Sequence, residues 1–149
     1  MSGLETLAAC AGRWRGTSTL HDPIRGVAEE SRSDMEVTPV LGGTFVRVDY
    51  TWAYGGTPQE GSVLVGLDGA ASGHWIDSWH MGKKGMACTG PAPADGTFRL
   101  TGAYAAPPGP DWGWRSDLTP GPDSLRMGMT NVSPEGEESP AVEAVYVRA

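Results

Sequence analysis

Phenylalanine is scarce in this 149-residue chain, with two copies against six tryptophans and four tyrosines. The aromatic content therefore sits in rings with a polar tip, which suits pocket walls and barrel mouths as well as cores. Cysteine is equally scarce. Cys10 and Cys88 are too few for a disulfide framework and too far apart for a zinc motif. They read as two buried free thiols, the alternative being one bridge that ties the N-terminal segment to the rest. Basic residues number eleven and are scattered singly or in pairs, giving a formal charge of −7. Such a chain repels phosphate and offers no basic face, so a nucleic-acid partner is not expected. No apolar run approaches about 20 residues, and the N-terminus lacks the basic and hydrophobic pair of a signal. The expectation is a soluble, cytoplasmic protein without membrane attachment, monomeric or homodimeric.

Helical periodicity is missing too. Only Leu4 to Ala11 reads as a helix, with Leu4, Leu7 and Ala8 on one side. The twenty-two glycines and twelve prolines punctuate apolar runs instead of forming a low-complexity tract, so the chain reads as one globular domain over residues 1–149. What remains is short alternating runs separated by turn residues. Ten strands are predicted: Arg13 to Leu20, Val27 to Val37, Thr44 to Tyr54, Ser62 to Leu67, His74 to Met81, Met86 to Thr89, Thr97 to Tyr104, Trp112 to Leu118, Ser124 to Asn131 and Ala141 to Arg148. Gly55-Gly56, Asp68-Gly69, Asp95-Gly96 and Glu135-Gly136 supply hairpin turns. The acidic Val27 to Val37 run is a solvated, edge-protecting strand.

So many hairpin-connected strands would expose long edges as an open sheet. Closure into an all-β, up-and-down antiparallel barrel of about ten strands is favoured over a two-sheet sandwich, with the short helix at one end. Large rings mixed with Gly16, Ser18, Gly102 and Ser116 on the inner faces predict a cavity of limited size.

The densest chemistry lies in Gly73-His74-Trp75-Ile76-Asp77-Ser78-Trp79-His80-Met81. Read as one strand, it puts Trp75, Asp77 and Trp79 on one face and His74, Ile76, Ser78 and His80 on the other. His74 and His80 would then lie about 20 Å apart, with Asp77 facing away from both, so no metal site is expected. Burial between two indoles would make Asp77 a candidate general acid or base. Arg99, Arg115 or Arg126 could instead pair with it, and it could also serve as an inward anchor for a hydroxyl or an indole N–H. Trp112 and Trp114 share a face around Gly113 and form a candidate second indole wall opposite Trp75 and Trp79. Between them would lie a flat slot that Tyr50, Trp52 and Tyr104 complete. Met127 and Met129 share another face and are core or ligand contacts. Gly-x-Ser-x-Gly elbows and glycine-rich phosphate loops leading into a helix are absent, which removes support for nucleophilic catalysis and nucleotide binding.

Several of these segments carry a resemblance. Gly12-Arg13-Trp14-Arg15-Gly16 is similar to the Gly-x-Trp-x-Gly opening of calycin-type barrels. Leu41-Gly42-Gly43-Thr44-Phe45, Gly66-Leu67-Asp68, Gly73 to Ser78 and Val145-Tyr146-Val147-Arg148 resemble, in that order, the DUF1579 family. The resemblance implies a lipocalin-like barrel along nearly the whole chain, without implying a function. Nitrobindin-type haem barrels share the Gly-x-Trp-x-Gly opening and hold iron through a histidine near the C-terminus. This chain has no histidine after His80, only Tyr146 near that end, so no cofactor is expected.

The function expected is binding of a small apolar or aromatic molecule in the barrel lumen. Its walls would come from Trp14, Tyr50, Trp52, Trp75, Trp79, Tyr104, Trp112, Trp114 and Met127, with Asp77 and Arg99 or Arg115 as polar anchor. The alternative is a small biosynthetic barrel enzyme, of isomerase or cyclase type, in which Asp77 acts inside an aromatic pocket.

Overall fold

Alternation of apolar and polar residues builds ten strands in the computed structural model, which describes residues 2–149. They are β1 (Gly12–Asp22), β2 (Val27–Val40), β3 (Phe45–Tyr54), β4 (Thr57–Asp68), β5 (Ala70–Asp77), β6 (Met86–Gly90), β7 (Phe98–Tyr104), β8 (Trp112–Pro120), β9 (Ser124–Val132) and β10 (Glu138–Arg148). Each pairs antiparallel with its sequence neighbours, and β1 pairs with β10 from Trp14↔Arg148 to Leu20↔Val142, so the sheet closes on itself. Closure leaves no unpaired edge. The up-and-down barrel is therefore present with the expected strand count and order. Its thinnest seam is β6 to β7, where Thr89↔Thr101 is the paired register position.

The inner face follows strand parity. Val46, Val48, Tyr50 and Trp52 of β3 are buried, as are Leu125, Met127 and Met129 of β9. A bulge between Pro140 and Val142 puts both Ala141 and Val142 inside. Gly16 is needed for the β1–β10 seam, because a Cβ there would lie 1.9 Å from the Val145 carbonyl oxygen.

One barrel end is sealed. Helix α1 (Gly3–Ala8) opens with a capping box, the Ser2 side chain accepting from the Glu5 amide and the Glu5 carboxylate from the Ser2 amide. The helix is shorter than the sequence reading, because Ala9 already caps it. Leu4 and Leu7 join the core. The Arg148 guanidinium donates to the carbonyls of Ala9, Cys10 and Ala11 at 3.1, 3.5 and 2.7 Å, and lies 4.4 Å over the Trp14 ring. These bonds satisfy carbonyls that a helix end leaves open. Cys10 and Cys88 are buried free thiols, unbridged. Burial pushes the Cys88 thiol up to about 11. No helix among the described residues is long and apolar enough to cross a membrane.

Candidate functional site

The opposite end of the barrel carries the turns after β1, β3, β5, β7 and β9, and its chemistry begins at Asp77. This residue closes β5, one residue before the strand would carry Ser78 outward. Asp77 Oδ1 accepts the backbone N–H groups of Trp79 and His80, both at 2.9 Å, an Asx turn that ends the strand. Asp77 Oδ2 accepts from the Tyr50 hydroxyl at 2.7 Å and the Trp52 Nε1–H at 3.2 Å. The Tyr50 oxygen in turn accepts from Trp75 Nε1 at 2.9 Å. Burial, with the Asp77 charge beside it, drives the Tyr50 phenol well above its ordinary value, so it remains a donor.

The turn corrects the reading of residues 74–81 as a single strand. His80 does not share a face with His74; it swings over the inward side and lies among four indoles. Its ring centroid is 5.4 Å from Trp52, 5.7 Å from Trp75, 4.8 Å from Trp79 and 5.0 Å from Trp114. Desolvation lowers its pKa from the ordinary 6.5, against the opposing pull of Asp77. The imidazole is therefore neutral at pH 7. The Asp77-Ser78 pair, with Gly82-Lys83-Lys84-Gly85 four residues on, is the local signal that could have marked this turn.

Above the rings lies a cavity of about 870 Å³. Trp75, Trp79, His80, Tyr104 and Trp114 line its floor and walls, and Pro23, Ile24, Lys84 and Asn131 are among the residues around them. Two nitrogen atoms of this lining, His80 Nε2 and Trp114 Nε1, are sealed from solvent and have no hydrogen-bond partner. A second concavity, about 990 Å³, lies on the outer face of β1 to β5. Most of its charged groups are already paired, Arg13 with Glu36 at 3.2 Å, Arg32 with Asp34 at 3.3 Å and Arg47 with Asp49 at 2.9 Å. The mouth, with its unsatisfied nitrogens and aromatic lining, is the better-built site despite its slightly smaller volume.

The remaining candidates divide sharply by position. Trp75 and Trp114 stack directly, 5.1 Å apart and 10° from parallel, so the expected slot between two indole walls is closed. A ligand would lie over this pair instead of between its members. Tyr54 stacks on Trp79 at 4.7 Å and is itself covered by the Arg25 guanidinium at 4.5 Å. Trp14 belongs to the sealed end, its Nε1 donating to the Cys10 carbonyl at 2.8 Å. Met127 is packed in the core, and Tyr50 and Trp52 stand behind the cavity wall. Trp112, half-buried opposite Tyr104, does not line the cavity.

The arginines do not meet Asp77. Arg99 is bound to Asp95 at 2.8 Å on the exterior, and Arg115 pairs with Asp117 at 3.3 Å and Glu138 at 3.1 Å. Outward parity explains both, since Leu100, Trp114 and Ser116 take the inward positions. The anchor of Asp77 is Tyr50 and Trp52 instead. With each carboxylate oxygen holding two donors, Asp77 positions the rings and the turn. Tyr146 is likewise engaged, its hydroxyl 2.7 Å from Ser33 Oγ. Among the described residues no three His, Cys, Asp or Glu side chains converge as a metal site would require.

Residues 4–148 match the family described as "Protein of unknown function (DUF1579)". No curated protein sequence matches the chain. Among solved structures, Rv2717c from M. tuberculosis is similar at 14% identity and a TM-score of 0.63, covering 99% of this chain and 97% of its own. The S-type phycobiliprotein lyase CPES from Guillardia theta is similar at 18% identity and a TM-score of 0.62, covering 100% and 93%. At these identities the likeness is one of fold.

Proposed function

The chain belongs to the DUF1579 family, and from that premise we propose that it binds a small, mostly apolar ring-bearing molecule at the open mouth of its barrel. The observation that carries this reading is the pair of partnerless nitrogens, His80 Nε2 and Trp114 Nε1, set among the rings that line the cavity. A buried polar group without a partner costs about 1–3 kcal/mol, and a small rotation of either ring toward the cavity, bringing its nitrogen to a ligand oxygen, would remove that cost. The indole N–H only donates, whereas a neutral imidazole nitrogen donates or accepts. A carbonyl oxygen could accept from the indole, or from the imidazole when its proton sits on Nε2, and a hydroxyl could pair with either. An aromatic floor with few polar points is the usual composition of a small-molecule pocket, and the volume falls within the usual range.

The first test is a native mass spectrum of the protein purified from its own host. A discrete mass above the 15.7 kDa chain, released on denaturation and absent from Trp114→Phe, is the expected result. A bare chain in both preparations, together with no change in tryptophan fluorescence across an aromatic ligand panel, would overturn the proposal.

A further inference from the structure

The chain carries 18 acidic residues against 11 basic ones, yet among the described residues no carboxylate lines the mouth cavity. Its ionisable lining residues are His21, His80, Lys84 and the phenol of Tyr104. Three carboxylates close to the mouth are occupied. Glu143 is 3.0 Å from His21 Nε2. Asp22 accepts from Arg25 Nε at 2.6 Å. Its burial works to raise the pKa, but this bond, one from the Tyr54 hydroxyl and the Ile24 and Arg25 amides hold it at about 2. Asp77 is filled by its four donors.

Lys84 is the exception. Among the described residues it forms no ion pair. Its backbone is fixed, because the Lys84 amide donates to the Met81 carbonyl at 3.1 Å within the turn that Asp77 initiates. The ammonium therefore stands on an ordered turn at the rim of an acid-free cavity, in a protein whose net charge of −7 otherwise repels anions. Long-range repulsion is screened beyond about 8 Å at physiological salt, so the local cation governs what binds at the rim.

Resting on the binding reading above, we infer that the ligand is a ring-bearing anion: its acid group meets Lys84 at the rim, and its rings lie over the Trp75, Trp114 and His80 floor. A neutral ligand would gain at most a hydrogen bond from this ammonium, without the charge attraction, and a cationic one would be repelled by it.

Two fluorescent probes with the same ring systems test this, 8-anilinonaphthalene-1-sulfonate and its uncharged counterpart N-phenyl-1-naphthylamine. At about 0.15 M salt the sulfonate should bind about five-fold tighter, the upper range for an exposed charge pair. Lys84→Met should bring the two affinities together by weakening only the sulfonate, Lys84→Arg should keep the preference, and 0.5 M salt, roughly, should narrow it. Equal affinities in the wild type, or a preference that survives Lys84→Met, would overturn the anion assignment while leaving a binding mouth in place. Failure of both probes to bind the folded wild type would remove the binding reading and this inference with it.

Discussion

The backbone amide of His80 donates to Asp77 Oδ1 at 2.9 Å, and that bond turns the chain so that the imidazole comes to rest 5.0 Å from the Trp114 ring. A side chain at the last residue of β5 thus decides both where the strand stops and what stands on the cavity floor. The other oxygen of the same carboxylate fixes Tyr50 and Trp52. Turn and aromatic cluster are one hydrogen-bonded unit.

Replacing Asp77 by Asn should dismantle that unit. An amide whose oxygen faces the Trp79 and His80 amides turns its NH2 toward Tyr50 and Trp52. The Tyr50 hydroxyl can rotate to accept, but the Trp52 indole N–H cannot. The expected loss is about 2–3 kcal/mol, read as a lower urea midpoint with an unchanged slope. A loss under about 0.5 kcal/mol would show that the carboxylate does not hold the network.

Tyr50→Phe removes the hydroxyl between Trp75 and Asp77. It strands a buried indole N–H and one carboxylate lone pair, for about 1–3 kcal/mol. Near-ultraviolet circular dichroism should record the change, because Trp75 loses the bond that orients it against Trp114. An unaltered aromatic spectrum would mean that packing alone sets the indole.

Stability should depend on pH through His80. Its folded pKa lies below the ordinary 6.5, so below that pH the unfolded chain binds a proton that the folded one refuses. The contribution is complete above about pH 6.5 and is lost as pH falls toward the folded value, with a slope of at most about 1.4 kcal/mol per pH unit. Urea midpoints between roughly pH 8 and pH 5 should show this slope, and His80→Phe should flatten it. Asp22 and Asp95, each held at about 2, act in a separate window, losing their contribution only below the ordinary 3.8.

At the sealed end, Arg148→Met should loosen the helix from the barrel. Three carbonyls lose a charged donor and the Trp14 ring loses its cation, for about 1–2 kcal/mol. Amide exchange over residues 4–11 should accelerate while β3 and β9 stay protected. Uniform acceleration across the barrel would mean that the helix is part of the global folding unit.

Much of the fold was legible from the chain itself. The ten alternating runs, their order and the turns at Gly55-Gly56, Asp68-Gly69, Asp95-Gly96 and Glu135-Gly136 survive in the structure. Alternation and positive-φ glycines are local, so a sequence can state them. Parity also placed Trp75 and Asp77 inward. Parity fails where a strand ends, which is why His80 was assigned to the wrong face. Turn hydrogen bonds, not the pleat, aim a side chain beyond the last paired residue.

Partner choice across the lumen was not legible either. That Trp75 and Trp114 touch, that Trp14 lies beneath the helix, and that Arg99 finds Asp95 instead of Asp77 all depend on how the closed sheet is sheared and which end is sealed. The sequence by itself determined the strands, their connections and their inner faces, because these follow from neighbours along the chain. The tertiary structure alone decided which end opens and which rings and nitrogens meet there, because those contacts join residues that only barrel closure brings together.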